Sequence, residues 1–201
     1  MKDLVLLVAD KNAHFALKGA LGRTKALGIA PIEFEFRVHP GRDGGVRKSG
    51  PEALARERRR FKHALLVLDF AGSGSDLPDA EALEAELDSK LQLLWKGAAK
   101  SVVIAPEVDV WMWGSDNAVE EVIGWSSRKR IREWLHDEGY TFDANGKPTH
   151  PKEAIEAALK ISGTPRSSAL YQRIAGKISL SKCADSAFLR LRRQLGEWFP
   201  R

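Results

Sequence analysis

An α/β fold, with a mainly parallel sheet and crossover helices followed by a helical C-terminal part, is what this sequence predicts. Three observations carry it. Short apolar runs recur near residues 4–9, 64–69 and 101–105, the length and composition of buried strands. Stretches with apolar residues at helical spacing lie between them, as βαβ units require. From about residue 116 the strand signal stops and only helical spacing remains. The chain therefore divides into an α/β part, 1–115, and a helical part, 116–201.

Residues 4–9 read as the first strand. Residues 12–22 read as a helix, with Phe15, Leu17 and Leu21 spaced for an inward face and Gly22 at its end. Residues 32–38 alternate apolar and charged, which predicts a strand with one solvated face, nearer the sheet edge. His39-Pro40-Gly41-Arg42-Asp43-Gly44-Gly45 reads as a loop, and loops of this composition often belong to sites. A basic helix is expected over 51–62, opening at Pro51. Residues 79–94 carry Leu83, Leu87, Leu91 and Leu94 at helical spacing. Further helices are expected over 117–124, 127–138, 151–161, 167–178 and 184–198. Of the six tryptophans, most are expected in packing rather than on a base-stacking surface.

Each of the three apolar runs leads into acid: Asp10, Asp69, and the pair Glu107 and Asp109. If 106–110 is extended, residues 107 and 109 face the same way. In open α/β sheets ligands bind outside the carboxyl ends of the strands. Parallel neighbouring strands would thus bring four carboxylates to one edge, where a divalent cation offsets their repulsion. All-oxygen donors suit Mg²⁺ or Mn²⁺. The competing role for these acids is helix N-capping, which suits Asp10 best and the Glu107/Asp109 pair least.

Composition sets limits. The 201 residues are 43% hydrophobic and 29% charged, the balance of a folded globular chain rather than a disordered one. No apolar run approaches a membrane span. The N-terminus lacks a secretory pattern and Cys183 is the only cysteine, so a cytoplasmic protein without an intrachain disulfide is expected. A net charge of +5 favours a polyanionic partner. Basic residues cluster at Arg56, Arg58, Arg59, Arg60 and Lys62, at Arg128, Lys129, Arg130 and Arg132, and at Arg190, Arg192 and Arg193. There is no glycine-rich phosphate loop, no CxxC, no HExxH and no GxSxG.

Several short motifs in a fixed order resemble the Toprim-like proteins of the DUF4276 type. Nearer still is the small Toprim-like component of bacterial methylation-associated anti-phage defence systems. The resemblance runs through Ala9-Asp10-Lys11-Asn12, His39-Pro40-Gly41-Arg42-Asp43, Leu68-Asp69-Phe70-Ala71-Gly72-Ser73-Gly74 and Pro106-Glu107-Val108-Asp109-Val110-Trp111. It continues through Lys147-Pro148, Pro151-Lys152-Glu153-Ala154 and the tail from Ser179 to Pro200. It implies a Toprim fold and Mg²⁺-dependent action on nucleic-acid phosphodiesters, with other defence proteins as partners. The chain departs from the Toprim pattern at Asp10, where Glu is usual, and at Asp69-Phe70-Ala71, where the second acid of Asp-x-Asp is missing.

Two readings follow. In the first, Asp10, Asp69, Glu107 and Asp109 hold one or two metal ions, and Lys11, Arg42 or His39 neutralises developing charge. In the second, a degenerate Toprim-like module binds nucleic acid or a partner protein without catalysis.

Overall fold

The computed structural model describes residues 1–201. Its centre is a four-stranded sheet in the order β2-β1-β3-β4, with every neighbouring pair parallel. The strands are β1 (Lys2–Val8), β2 (Phe34–Val38), β3 (Phe61–Asp69) and β4 (Ala99–Ile104). The chain is α/β and Rossmann-like, as the alternating apolar runs predict. No helix is long and apolar enough to cross a membrane.

Successive residues of β1 serve opposite faces, as the strand period demands. Leu4, Leu6 and Val8 join one hydrophobic cluster, and Val5 and Leu7 join the other, with Ala9 just past the strand. The second cluster is closed by α3 (Arg42–Ala55) and α4 (Ala80–Trp95), through Val46, Leu54, Leu83, Leu87 and Leu91. The larger cluster is closed by α1 (Lys11–Leu21), with the short α2 (Thr24–Leu27), and by helices after residue 108. These are α5 (Asp109–Met112), α6 (Asp116–Ile123), α7 (Ile131–Asp137), α8 (Pro151–Ser162), α9 (Ser168–Ala175) and α10 (Ser186–Trp198). One core thus takes residues from both sides of position 115. At Gly19 an added Cβ would lie 2.7 Å from the Gln172 carbonyl, so α1 and α9 meet backbone to backbone there.

Two expectations are corrected. The helix expected over 51–62 is α3, which begins at Arg42 and ends at Ala55, with Pro51 buried inside it. Two glycines inside α3 serve packing. A Cβ on Gly45 would meet the His39 ring at 2.5 Å, and one on Gly50 would meet Leu66 at 2.6 Å. Residues 106–110 are not extended, because Val110 N–H donates to Glu107 C=O and Trp111 N–H to Val108 C=O, opening α5.

The sheet's two edges differ. The outer edge of β4 is covered by side chains: Asp88 accepts from Ser101 N–H at 2.7 Å, Glu84 from Val103 N–H at 2.9 Å, and Arg190 donates to Val103 C=O. The outer edge of β2 has no covering element, and its residues are half-buried or exposed. Trp95, Trp111 and Trp113 are buried in the core, while Trp125, Trp134 and Trp198 pack against it partly exposed.

Candidate functional site

The parallel sheet brings the ends of β1, β3 and β4 to one edge, and with them Asp10, Asp69 and Glu107. An open cleft of about 500 Å³ lies there, lined by Asp10, Lys11, Asn12, His39, Arg42, Lys152 and Arg166, among others. Elements distant in sequence supply these groups. Asp10 and Lys11 open α1, Arg42 opens α3, Lys152 sits in the first turn of α8, and Arg166 precedes α9. Ser168 Oγ lies 2.9 Å from Asn12 Oδ1, which ties the start of α9 to the start of α1. Helix amino ends carry unsatisfied N–H groups and partial positive charge, so these termini reinforce the four cationic side chains.

Each acid has a distinct setting. Asp10 caps α1, accepting from Ala13 N–H at 2.8 Å through Oδ1. Asp69 ends β3, and its Oδ1 accepts from Val108 N–H at 2.9 Å. Burial pushes the Asp69 carboxyl well above the ordinary carboxylate range, and the nearby charges of Asp43, Asp10, Asp109 and Glu107 add to the rise. Asp43 is the acid that sequence reasoning did not place in the site. It reaches across from α3, and its Oδ1 accepts from Asp69 N–H at 2.8 Å. Burial raises its carboxyl as well. An added Cβ on Gly72 would lie 2.5 Å from Asp43 Oδ2, so the bare backbone at 72 makes room for this carboxylate. The signal was present in the His-Pro-Gly-Arg-Asp stretch and in the glycine after Asp69, but only the fold joins them.

Glu107 and Asp109 do not share a face. Asp109 is 3% exposed and turned into the helical part. Its Oδ1 accepts from Tyr171 Oη at 2.7 Å and faces Arg166 Nη2 at 3.4 Å. Tyr171 Oη in turn accepts from Arg166 Nη2 at 2.9 Å, and Arg166 also pairs with Glu156. Asp109 therefore holds a tyrosine and an arginine, and Arg166 carries that support to the cleft. Burial raises the Asp109 carboxyl although the Tyr171 hydroxyl and Arg166 oppose the rise. Glu107 is half-buried outside the cleft, its carboxyl raised by burial and by Asp109.

The other candidates separate cleanly. Lys11 and Arg42 line the cleft. Arg42 has φ +50°, a left-handed conformation that a non-glycine residue adopts at a cost of order 1 kcal/mol or more. His39 lines the cleft, but both ring nitrogens are engaged: Nδ1 accepts from Gly41 N–H at 3.0 Å, and Nε2 lies 3.0 Å from Ser49 Oγ. It anchors the turn rather than offering a proton to a ligand. Arg56, Arg58 and Arg59 follow the carboxyl end of α3, at the sheet edge opposite the acids. They cannot act on the same phosphate within one chain. The 128–132 cluster is largely internally paired, through Lys129–Asp137, Arg130–Glu120 and Arg132–Asp116. Arg190 is held by Glu81 and Glu84.

The fit to a divalent metal is partial. The donors are all carboxylate oxygens, as Mg²⁺ or Mn²⁺ requires. Yet no three His, Cys, Asp or Glu side chains are gathered closely enough to hold a metal ion. The expected four-carboxylate centre of Asp10, Asp69, Glu107 and Asp109 is therefore not preformed, because α5 turns Asp109 inward. The arrangement suits an ion held by one or two carboxylates and completed by substrate phosphate oxygens, a common mode for Mg²⁺.

Comparison with family models, curated proteins and solved structures finds no match for this chain.

Proposed function

We propose that this chain is a Toprim-like, Mg²⁺-dependent nucleic-acid phosphodiesterase, acting with other proteins of an anti-phage defence system. One observation carries the phosphodiester reading: a single cleft at the strand carboxyl ends holds Lys11, Arg42, Lys152 and Arg166 beside Asp10, with Asp69 and Asp43 just behind. Cations and acids so placed serve a substrate that is both an anion and a metal ligand. The defence context rests on the sequence resemblance alone.

In this reading Lys11, Arg42 and Lys152 bind the phosphate and its neighbours, and Arg166 is aimed by Asp109 and Tyr171. Asp10 and Asp69 would hold the divalent ion, which supplies Lewis-acid polarisation of the phosphate and a more acidic water. Asp43 holds the Asp69 backbone through its N–H and raises the negative potential behind it.

A second reading, a non-catalytic module that binds nucleic acid or a partner protein, is favoured by a specific feature. Asp69 and Asp109 both spend an oxygen on protein donors, and no three-ligand set exists. Cleavage of single- and double-stranded DNA and RNA with Mg²⁺ or Mn²⁺ separates the two. The first reading predicts turnover by wild type and loss of at least a hundredfold in Asp10→Ala and Asp69→Ala. A folded wild type that cleaves none of these substrates transfers the assignment to the second.

A further inference from the structure

The unguarded β2 edge has a self-complementary pattern. In the β1–β2 ladder Leu4 N–H donates to Glu33 C=O and His39 N–H donates to Val8 C=O. Odd-numbered residues of β2 therefore face β1, and Phe34, Phe36 and Val38 turn their N–H and C=O groups outward. Of these outward groups, the Phe36 carbonyl accepts from the Arg37 side chain of the same strand. Every outer group of β4 described above is met instead from another element of the fold.

Two copies of β2 run antiparallel about Phe36 would pair Phe34 with the partner's Val38 and Phe36 with the partner's Phe36. Each such pair exchanges both backbone bonds, about six bonds in all. The same register sets Glu35 opposite the partner's Arg37, and Arg37 opposite the partner's Glu35, on the other face. Pro31 and Pro40 flank the strand and confine the ladder to these five residues. On the first face Phe34 and Phe36 are only partly buried, and Val38 is 44% exposed. A one-residue slip would lose the charge match and turn the aromatic face over.

We propose that the chain forms a twofold homodimer through this edge, joining two four-stranded sheets into one. Strand direction reverses across the junction. The partner's Arg56, Arg58 and Arg59 therefore lie along the same edge of the joined sheet as the cleft at Asp10. This gives the basic cluster, which cannot reach the cleft within one chain, a place beside a polyanion bound there. That consequence rests on the proposed nucleic-acid reading, whereas the dimer does not.

Sedimentation velocity and light scattering of the full chain test the dimer. Wild type is expected at about twice the 22.3 kDa of one chain. Val38→Pro removes an outward N–H without touching the β1 ladder, and is expected to weaken association at least tenfold with unchanged circular dichroism. Arg37→Glu alone and Glu35→Arg alone each set like charges opposite one another and should be monomeric. Mixing these two variants restores both cross-strand pairs and should restore the dimer, which also shows that each is folded. A monomeric wild type at hundred-micromolar concentration overturns the proposal. So does dimerisation of the single-charge variants as strong as wild type, which would place the interface elsewhere. A stable dimer that fails to bind nucleic acid would leave the interface standing and remove only its role at the cleft.

Discussion

Replacing Tyr171 with Phe tests how the cleft is supported from behind. Tyr171 is 2% exposed, so the change leaves its ring packing in place. It deletes a 2.7 Å bond to the Asp109 carboxylate and a 2.9 Å bond from Arg166. Hydrogen bonds to charged groups contribute about 1.5–3 kcal/mol each. Asp109, at 3% exposure, would keep only Arg166 at 3.4 Å, too long for a strong bond. Arg166 is partly exposed and can turn to water, so the Asp109 bond sets the cost: a loss of roughly 1.5–3 kcal/mol, or about 3–12 °C in melting temperature for a chain of this size. The pH dependence has a definite sign. Burial raises the Asp109 carboxyl in the folded state, so its ionisation penalises folding above the unfolded value and not below it. Losing the Tyr171 donor raises that carboxyl further. The deficit of Tyr171→Phe should therefore be largest near neutrality and shrink as pH falls through the carboxylate range. Thermal unfolding of both proteins from about pH 4 to pH 8 measures it. Asp109→Asn combined with Tyr171→Phe should cost less than the sum of the singles, since no unpaired charge stays buried. A melting-temperature change under about 1 °C for Tyr171→Phe, flat with pH, would refute the supporting role given to this network.

Two further substitutions probe the acids. Asp69→Asn keeps an acceptor for Val108 N–H and removes a charge that burial and four other acids disfavour, so it should stabilise the metal-free protein by roughly 1 kcal/mol at pH 7. That gain should fade as pH falls and the wild-type carboxyl takes up its proton; a melting temperature below wild type at pH 7 would contradict it. Gly72→Ala places a methyl 2.5 Å from Asp43 Oδ2 and should displace that carboxylate from Asp69 N–H, at about 1–3 kcal/mol. Denaturant titration should show part of this cost recovered in the Gly72→Ala, Asp43→Ala double variant, because the contacts with the carboxylate are then gone and only the Cβ of residue 43, at 3.1 Å, stays close.

The sheet was legible because β1, β3 and β4 are apolar on both faces, and a short β-branched run of that kind is buried most readily inside a parallel sheet. The alternation over residues 32–38 likewise marked an edge strand. Asp10 and Asp69 were legible because an acid directly after a buried strand stands at the sheet's carboxyl edge. Glu107 and Asp109 misled because a two-residue spacing implies a shared face only in extended backbone, and the chain turns into α5 after Val108. The start of α3 was hidden because Gly41, Gly44 and Gly45 look like loop residues, whereas Gly45 serves close approach to His39. Asp43, Lys152, Arg166 and Tyr171 reach the site from separate parts of the chain, and no local pattern announces a long-range juxtaposition of that kind. The basic cluster at 56–60 showed the charge but not its edge, which depends on where α3 ends.

Binding of a nucleic-acid backbone in the cleft between the amino ends of α1, α3 and α8 is central to the proposed function. Fluorescence anisotropy of a labelled single-stranded oligonucleotide, titrated at low and moderate salt, tests it most directly. Lys11 and Lys152 line the cleft and make no ion pair within the chain, so replacing both with Ala removes phosphate contacts without exposing a partner. Wild type should bind, and the double variant should bind at least tenfold more weakly at low salt, with a salt slope shallower by about 2. Equal affinity and equal slope for the two proteins would contradict a phosphate-binding cleft.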